Sequence, residues 1–365
     1  MSSEKKRGAY IRPDIESLPA YVPGARPPAG VTMTKLSSNE NPAEPAPAVV
    51  ETIHRVAEQI NRYPDMNVTD LTETVAAHYG VEPANVALGN GSVALLSHAL
   101  TALAIMGDEV VYPWRSFEAY PIIAQAAGAT SVRIPLLEDF SHDLDAMAAA
   151  VTDKTRAVIV CNPNNPTGNV IDRDTLMAFI DKVPPTVAVF VDEAYQEYVA
   201  DARYAFDLAD LPRYPNVLVF RTFSKAYGLA GLRVGYCFGD ARLISAVRTT
   251  STPFGVNAIA QAAAMTALAE QDVMTSQVEE ANAERERVVA KLRADGWDIP
   301  QTVANFFYLP IGEDAAQLAA DGVAEGVLIR GYPGDGVRVT VGNRAENDRL
   351  VEFLGGYAPN SSTRR

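Results

Sequence analysis

From about residue 68 to residue 253, short apolar runs alternate with longer amphipathic stretches. The runs at 86–88, 109–112, 131–134, 157–160, 187–191, 217–220 and 233–238 have the length of strands. The stretches at 68–79, 93–106, 117–127, 143–151 and 172–182 have the spacing of helices. This alternation predicts an α/β fold: a mostly parallel sheet with helices on both faces. The runs 157–160 and 217–220 contain no polar residue, as befits strands covered on both faces. After Pro253 the pattern changes. A helical stretch over 256–294, broken once, leads to strands at 306–309, 327–329 and 337–341, with a helix between the first two. That is a smaller α+β unit.

The expected organisation is an N-terminal arm over 1–46 joining the small domain, a large domain over 47–255, a small C-terminal domain over 256–357 and a disordered tail over 358–365. The arm is rich in proline, including Pro19, Pro23, Pro27, Pro28 and Pro42, and reads as extended chain with turns. With 365 residues, the chain is too long for one simple core.

Composition removes several classes of function. The longest apolar stretch, 92–106, contains Ser97, His98 and Thr101 and is too short to span a bilayer, so no membrane partner is expected. No apolar segment follows Lys5, Lys6 and Arg7, so no signal peptide is expected. A net charge of −14 repels phosphate backbones and argues against nucleic acid. Cys161 and Cys237 form no disulfide framework, and His54, His78, His98 and His142 form no ligand pair. No metal is expected, and a reducing, cytoplasmic location fits.

Four segments carry the chemistry. Residues 222–235 read Thr-Phe-Ser-Lys-Ala-Tyr-Gly-Leu-Ala-Gly-Leu-Arg-Val-Gly and follow the buried run 217–220. A lysine just past the C-terminal end of such a strand points into the crevice where α/β sheets bind ligands. Lys225, once desolvated, loses its proton and attacks a carbonyl, which arginine cannot do. Arg233 is placed to clamp a phosphate. The plain alternative is a solvated lysine in a glycine-rich loop. Asp192 ends the buried run 187–191, where a carboxylate is costly without a cation; a protonated pyridine nitrogen is such a cation. A helix cap is the alternative there. Residues 162–168, Asn-Pro-Asn-Asn-Pro-Thr-Gly, fix a tight turn that would hold Asn165 rigidly beside the sheet. Residues 89–94, Gly-Asn-Gly-Ser-Val-Ala, precede a helix and form an anion cradle at its N-terminus. They also match a dinucleotide fingerprint, but the acids Asp108 and Glu109 precede the next strand instead of ending it. Phe117 and Trp114 follow the run 109–112 and are candidates to stack on a flat ring, with core packing as the alternative.

Together these segments resemble the fold-type I enzymes that depend on pyridoxal 5′-phosphate (PLP), and within them the histidinol-phosphate and aromatic aminotransferase group. The similarity extends to Pro-Ala-Tyr-Val-Pro-Gly at 19–24, Ser-Ser-Asn-Glu-Asn-Pro at 37–42, Arg-Tyr-Pro-Asp at 62–65 and Gly-Val-Arg-Val-Thr-Val-Gly at 336–342. The resemblance implies that Lys225 is the Schiff-base lysine and proton shuttle and that Asp192 pairs with the pyridine nitrogen. It gives Asn165 and Tyr195 to the ring's phenolate oxygen. It gives the phosphate to Gly91, Ser92 and Val93 with Ser224 and Arg233. Phe117 would stack on the ring, where many relatives have tyrosine. Tyr63 would reach the phosphate from a neighbouring subunit, implying a homodimer with shared active sites. Arg338 would bind the substrate α-carboxylate, and Tyr21, Asn39 and Arg330 would line the side-chain pocket. The stretch 114–121 resembles the actinobacterial aromatic branch. The implied reaction is amino transfer between an aromatic amino acid and a 2-oxo acid, with histidinol-phosphate transamination as the alternative. A regulatory binding module on this fold would need a DNA-binding domain, for which the proline-rich arm is too short.

Overall fold

The computed structural model describes residues 9–18, 20 and 33–357. The basic N-terminal residues, Tyr21 and the expected tail over 358–365 lie outside them. The chain enters through α1 (Pro13–Glu16) and β1 (Thr34–Lys35), followed by α2 (Pro47–Ala57) and α3 (Thr69–Tyr79). The central unit then runs β2 (Val86–Gly89), α4 (Ser92–Leu103), β3 (Glu109–Trp114), α5 (Ala119–Ala126), β4 (Thr130–Pro135) and α6 (Leu144–Ala149). It continues through β5 (Thr155–Cys161), α7 (Arg173–Ile180), β6 (Ala188–Asp192), β7 (Val217–Thr222), β8 (Gly235–Gly239), α8 (Ala241–Thr250) and α9 (Ala258–Ala269).

Seven strands form one sheet in the order β2-β8-β7-β6-β5-β3-β4. Only β8 runs antiparallel to its neighbours. Alternation along each strand feeds two separate cores. On β7, Val217 and Val219 face one cluster with α3, α7 and α9, whereas Leu218 and Phe220 face the other with α4, α5 and α8. Every residue of β6 and β7 is buried, which explains why those runs carry no polar alternation.

The smaller unit follows: α10 (Gln271–Ala294), β9 (Phe306–Leu309), α11 (Ala315–Ala324), β10 (Val327–Leu328), β11 (Arg330–Tyr332), β12 (Gly336–Thr340) and α12 (Arg344–Gly355). Strands β11-β12-β9 form an antiparallel sheet, and β1 pairs in parallel with β10. Leu36, from the segment after β1, joins the core of this unit with Leu292, Phe307, Leu318 and Leu350. The long helical stretch breaks at Glu270, and its two halves pack differently. Ala260, Ala263 and Ala264 of α9 belong to the large-sheet core, so the expected division at 255/256 cuts through that core. A further cluster joins the two units: Tyr195 and Ala226 meet Phe306, Val278 and Ala281.

The helices α2, α8 and α12 lie outside the predicted set, and their ends are marked. Pro47 stands in the first turn of α2. The Asp240 side chain caps α8, and Asn343 with Glu346 forms a capping box on α12. Strands β1 and β11 are too short to show a period.

Beside the last residue of β6, Glu193 accepts from Arg221 Nε at 2.9 Å and Nη2 at 2.8 Å, while Phe206 N–H donates to its other oxygen at 2.7 Å. Both side chains are buried, and the guanidinium lies 5.1 Å from the Tyr79 ring centroid. Removing one member of such a pair leaves a buried charge uncompensated. Arg221→Met should therefore lower stability by about 3–5 kcal/mol, read from the midpoint of urea denaturation. A loss below about 1 kcal/mol would show the pair to be dispensable.

Candidate active site

The C-terminal ends of β5, β6 and β7 open on a cavity of about 270 Å³ whose far wall is the small sheet. This is the position at which open α/β sheets bind ligands, because the strand ends leave a crevice between the flanking loops. Asp192 ends β6 there, Lys225 lies three residues past β7, and Asn165 lies in the turn after β5. From the small unit come Arg330 on β11 and Arg338 on β12, paired directly opposite each other. The segment after β1 contributes Ser37, Ser38 and Asn39.

Asp192 is 3% exposed. Its Oδ2 accepts from the Tyr120 hydroxyl at 2.6 Å, while Oδ1 has no hydrogen-bond partner among the described residues. Burial pushes this carboxyl up to about 6, and the Tyr120 hydrogen bond opposes the shift. Lys225 Nζ donates to Ser38 O at 3.3 Å. Burial, and then the Arg338 guanidinium, push the Lys225 ammonium down to about 7. A lysine in this state is partly neutral near neutral pH and so is a nucleophile.

Arg338 Nη1 donates to Asn165 Oδ1 at 2.7 Å and Nη2 to Ser37 O at 2.7 Å, while its buried Nε lacks a partner among the described residues. Of the 162–168 turn, Asn165 alone of the asparagines reaches the cavity. Asn162 instead donates to Ile171 O at 3.0 Å and to Tyr204 O at 3.1 Å, and Asn164 ties the turn to Ser116 and Thr167. Asn39 Nδ2 donates to the Tyr195 hydroxyl at 2.9 Å, and Thr340 donates to Asn39 Oδ1 at 3.0 Å. Tyr195 thus has its own proton left to donate into the cavity. Burial raises the Tyr195 phenol, so it stays protonated.

At the other end lies an anion cradle. Gly91 caps α4 with φ +83°, and a Cβ there would stand 2.5 Å from Arg233 Nη2. A Cβ on Gly235 would stand 2.5 Å from the Ser92 amide nitrogen. Both glycines keep the backbone open around the helix N-terminus, where amide donors and the helix dipole favour a negative group. Arg233 Nη1 donates to Ser224 Oγ at 3.1 Å and Ala230 O at 2.9 Å, and Thr222 donates to Ser224 at 3.0 Å.

The cavity therefore brings together Ser92, Val93, Phe117, Asn165, Asp192, Tyr195, Ser224, Lys225, Arg233, Asn39, Arg330 and Arg338. Tyr63 does not line it; that ring is 82% exposed and stacks on Phe254 at 4.6 Å. Trp114 does not line it either and instead carries the Arg115 and Arg133 guanidinium groups on its ring, each 4.5 Å from the centroid. Sequence reasoning misses Tyr120, Glu118 and Cys161. Tyr120 stands three residues after Phe117 at the start of a helix, a spacing that places both on one side. For Glu118 no sequence signal exists, since an acid at a helix start reads as solvated.

The family profile described as aminotransferase class I and II matches residues 31–354. The aromatic amino acid aminotransferase of Rhodococcus erythropolis is 49% identical over 94% of this chain and 95% of its own. That of Streptomyces avermitilis is 48% identical over 94% and 96%. Among solved structures, the histidinol-phosphate aminotransferase of Sinorhizobium meliloti in complex with pyridoxal-5′-phosphate superposes with a TM-score of 0.87 at 28% identity, over 96% of this chain and 98% of that one.

The raised Asp192 carboxyl carries a sign that can be tested. Its ordinary value is 3.8 and its folded value about 6, so the folded protein binds the proton more tightly. The cost of ionising it is absent below the first value and complete above the second. Measured with all small molecules removed, Asp192→Asn should gain stability relative to the parent as pH rises from about 4 to 6 and keep that gain above. Urea denaturation across a pH series reads the difference; one that is flat, or falls, overturns the assignment.

Proposed function

The chain belongs to the class I and II aminotransferases, and from that premise we propose that it moves the amino group between an aromatic amino acid and a 2-oxo acid, with PLP held in the cavity. The observation that carries the reading is the convergence of Lys225, Asp192 and Arg338 on one cavity, in a chain 48–49% identical to relatives named for aromatic amino acids.

The residues present fit the cofactor. The buried Asp192 Oδ1 without a partner suits a protonated ring nitrogen, and its neutralisation would remove the burial cost just described. The Gly91 and Ser92 backbone, Val93, Ser224 and Arg233 suit the phosphate. Phe117 lines the cavity and packs edge-on against Tyr120 at 5.6 Å, leaving a face for a flat ring. Asn165 and Tyr195 would bond the ring's phenolate oxygen. When bound, the cofactor supplies an aldehyde and a cationic ring that takes up the charge left when the Cα proton departs.

The rest is work for this chain's side chains. Lys225, poised between its charged and neutral forms, attacks as an amine and then carries the Cα proton at Nζ. Arg338 orients the substrate by a bidentate grip on its α-carboxylate, for which its unpartnered Nε is available. Tyr120 holds Asp192 in place. Asn39 fixes the Tyr195 hydroxyl, and with Arg330 and Tyr21 it would line the side-chain pocket.

We place the working unit as a homodimer in the cytoplasm. Tyr63, Met66 and Phe254 form an exposed apolar group that a second copy would cover, bringing Tyr63 to the partner's phosphate cradle. Both cysteines are free and buried, which suits a reducing compartment. The alternative, a histidinol-phosphate substrate, would require Arg330 to take its phosphate in place of Glu118.

Lys225→Ala should cut turnover by at least about 10⁴-fold, since no other cavity residue combines nucleophile and proton carrier. Subunits of Lys225→Ala re-assembled with an inactive Tyr63 variant should recover part of the activity, because one hybrid site carries neither lesion; sedimentation of an active monomer would rule out a shared site. In a panel of keto acids against glutamate, phenylpyruvate should have a higher kcat/KM than imidazole-acetol phosphate. A preference for the phosphorylated compound of about tenfold or more replaces the aromatic reading by the histidinol-phosphate one.

A further inference from the structure

Three arginines line the cavity, and they are not equivalent. Arg233 is bonded by neutral acceptors, Ser224 Oγ and Ala230 O. Arg338 is likewise bonded by neutral acceptors, Asn165 Oδ1 and Ser37 O. Arg330 alone of the three forms an ion pair among the described residues: its Nη2 donates to Glu118 Oε2 at 2.6 Å. A guanidinium held by neutral groups keeps its full charge for an incoming anion. One paired with a carboxylate at that distance has already spent most of it.

The geometry explains why Arg330 is matched and Arg338 is not. The two stand directly opposite each other on adjacent strands, a placement in which like charges repel. Glu118 relieves that repulsion from the large-domain side, at the start of α5. Arg330 also lies 5.5 Å from the Tyr332 ring, which Arg115 approaches at 5.3 Å, and Arg115 has its own partner in Asp335. Arg330 and its neighbour Arg115 are therefore each matched by an acid, and the Arg330–Glu118 pair is what this end of the cavity presents. At the cofactor and α-carboxylate ends, Arg233 and Arg338 have no acid partner among the described residues.

We propose that Glu118 is a specificity-determining residue. By neutralising Arg330 it excludes substrates with a dianionic tail and reserves the far end of the pocket for uncharged, ring-bearing ones. A phosphate there would have to displace Glu118 or lie beside it, and either route desolvates a second negative group with no cation to answer it. This rests on the aromatic reading above and supplies its physical cause.

The test uses the holoenzyme and two unreactive acids of similar length, 3-phenylpropionate and 3-phosphonopropionate, titrated by calorimetry. Glu118→Gln keeps the size and removes the charge. It should shift the ratio of the two dissociation constants toward the phosphonate by at least about tenfold. The shift should vanish in Glu118→Gln/Arg330→Leu, since only a released Arg330 can answer the dianion. A ratio that moves by less than about threefold in Glu118→Gln, or a shift that survives in the double variant, overturns the proposal. Turnover separates it from the reading beneath. A parent enzyme that prefers the phosphate-tailed keto acid sinks both, whereas a parent that prefers phenylpyruvate with an unmoved ratio sinks the role of Glu118 alone.

Discussion

A carboxylate buried at the end of a central strand is the constraint around which the molecule is arranged. Asp192 closes β6 in the middle of a seven-stranded sheet, flanked by two parallel strands, β5 ending level with it and β7 running two residues further. Ionised and alone, it would be expensive. One oxygen is answered by Tyr120 and the other faces the cavity without a partner among the described residues. The surrounding elements hold it there. The helix α5 brings Tyr120 under it, β7 sets Lys225 beside it and the turn after β5 sets Asn165 beside it. The cost of ionising the buried Asp192 is what a cationic ring would offset, so the site's affinity for such a ring and the instability of the lone carboxylate have one origin.

The second requirement is a wall. The strand ends alone form an open crevice, and the small unit closes it by placing β11 and β12 across from them. That placement is fixed by packing and by polar ties together. Phe306 sits edge-on to Tyr195 with ring centroids 4.9 Å apart, while Arg338 reaches back to Asn165. Because Arg338 both bonds the large-domain turn and depresses the proton affinity of Lys225, the position of the small unit bears directly on how nucleophilic the lysine is. Domain placement and acid-base chemistry are coupled through one guanidinium.

The alternating pattern of the central unit was legible because both faces of its strands are buried and its helices pack one apolar side; Leu95, Leu96, Ala99 and Leu100 on α4 are an example. The helices α2, α8 and α12 were not predicted, although Val49, Ile53 and Val56 of α2 and Leu243, Ile244 and Val247 of α8 recur at helical spacing and caps or a first-turn proline mark the ends. The expected division at 255/256 cuts through the core that α9 joins, and for a different reason. The alanine-rich α9 is apolar almost all round, so its sequence does not say which core it joins; only the packing of Ala260, Ala263 and Ala264 does. In the site, residues in dense motifs were legible: Lys225, Asn165 and Arg233 are fixed by turns whose residue types are demanding. Glu118 was not, because its meaning comes from Arg330, 212 positions away.

Asp192 and Glu193 meet the same constraint on opposite faces of the sheet. Two adjacent acids at the end of one strand point to opposite faces of the sheet, because side chains alternate there. On the face away from the cavity, Glu193 is closed by Arg221 and by the Phe206 amide, and both of its oxygens are engaged. On the cavity face, Asp192 has a tyrosine for one oxygen and, among the described residues, no partner for the other. The same residue class, at the same depth and one position apart, is structural on one side and chemical on the other. What separates them is whether the fold supplies a cation. A sequence shows the two acids side by side as Asp-Glu and does not tell them apart. The β7 strand does, by placing Arg221 on Glu193's face and Thr222, leading on to Lys225, on the other.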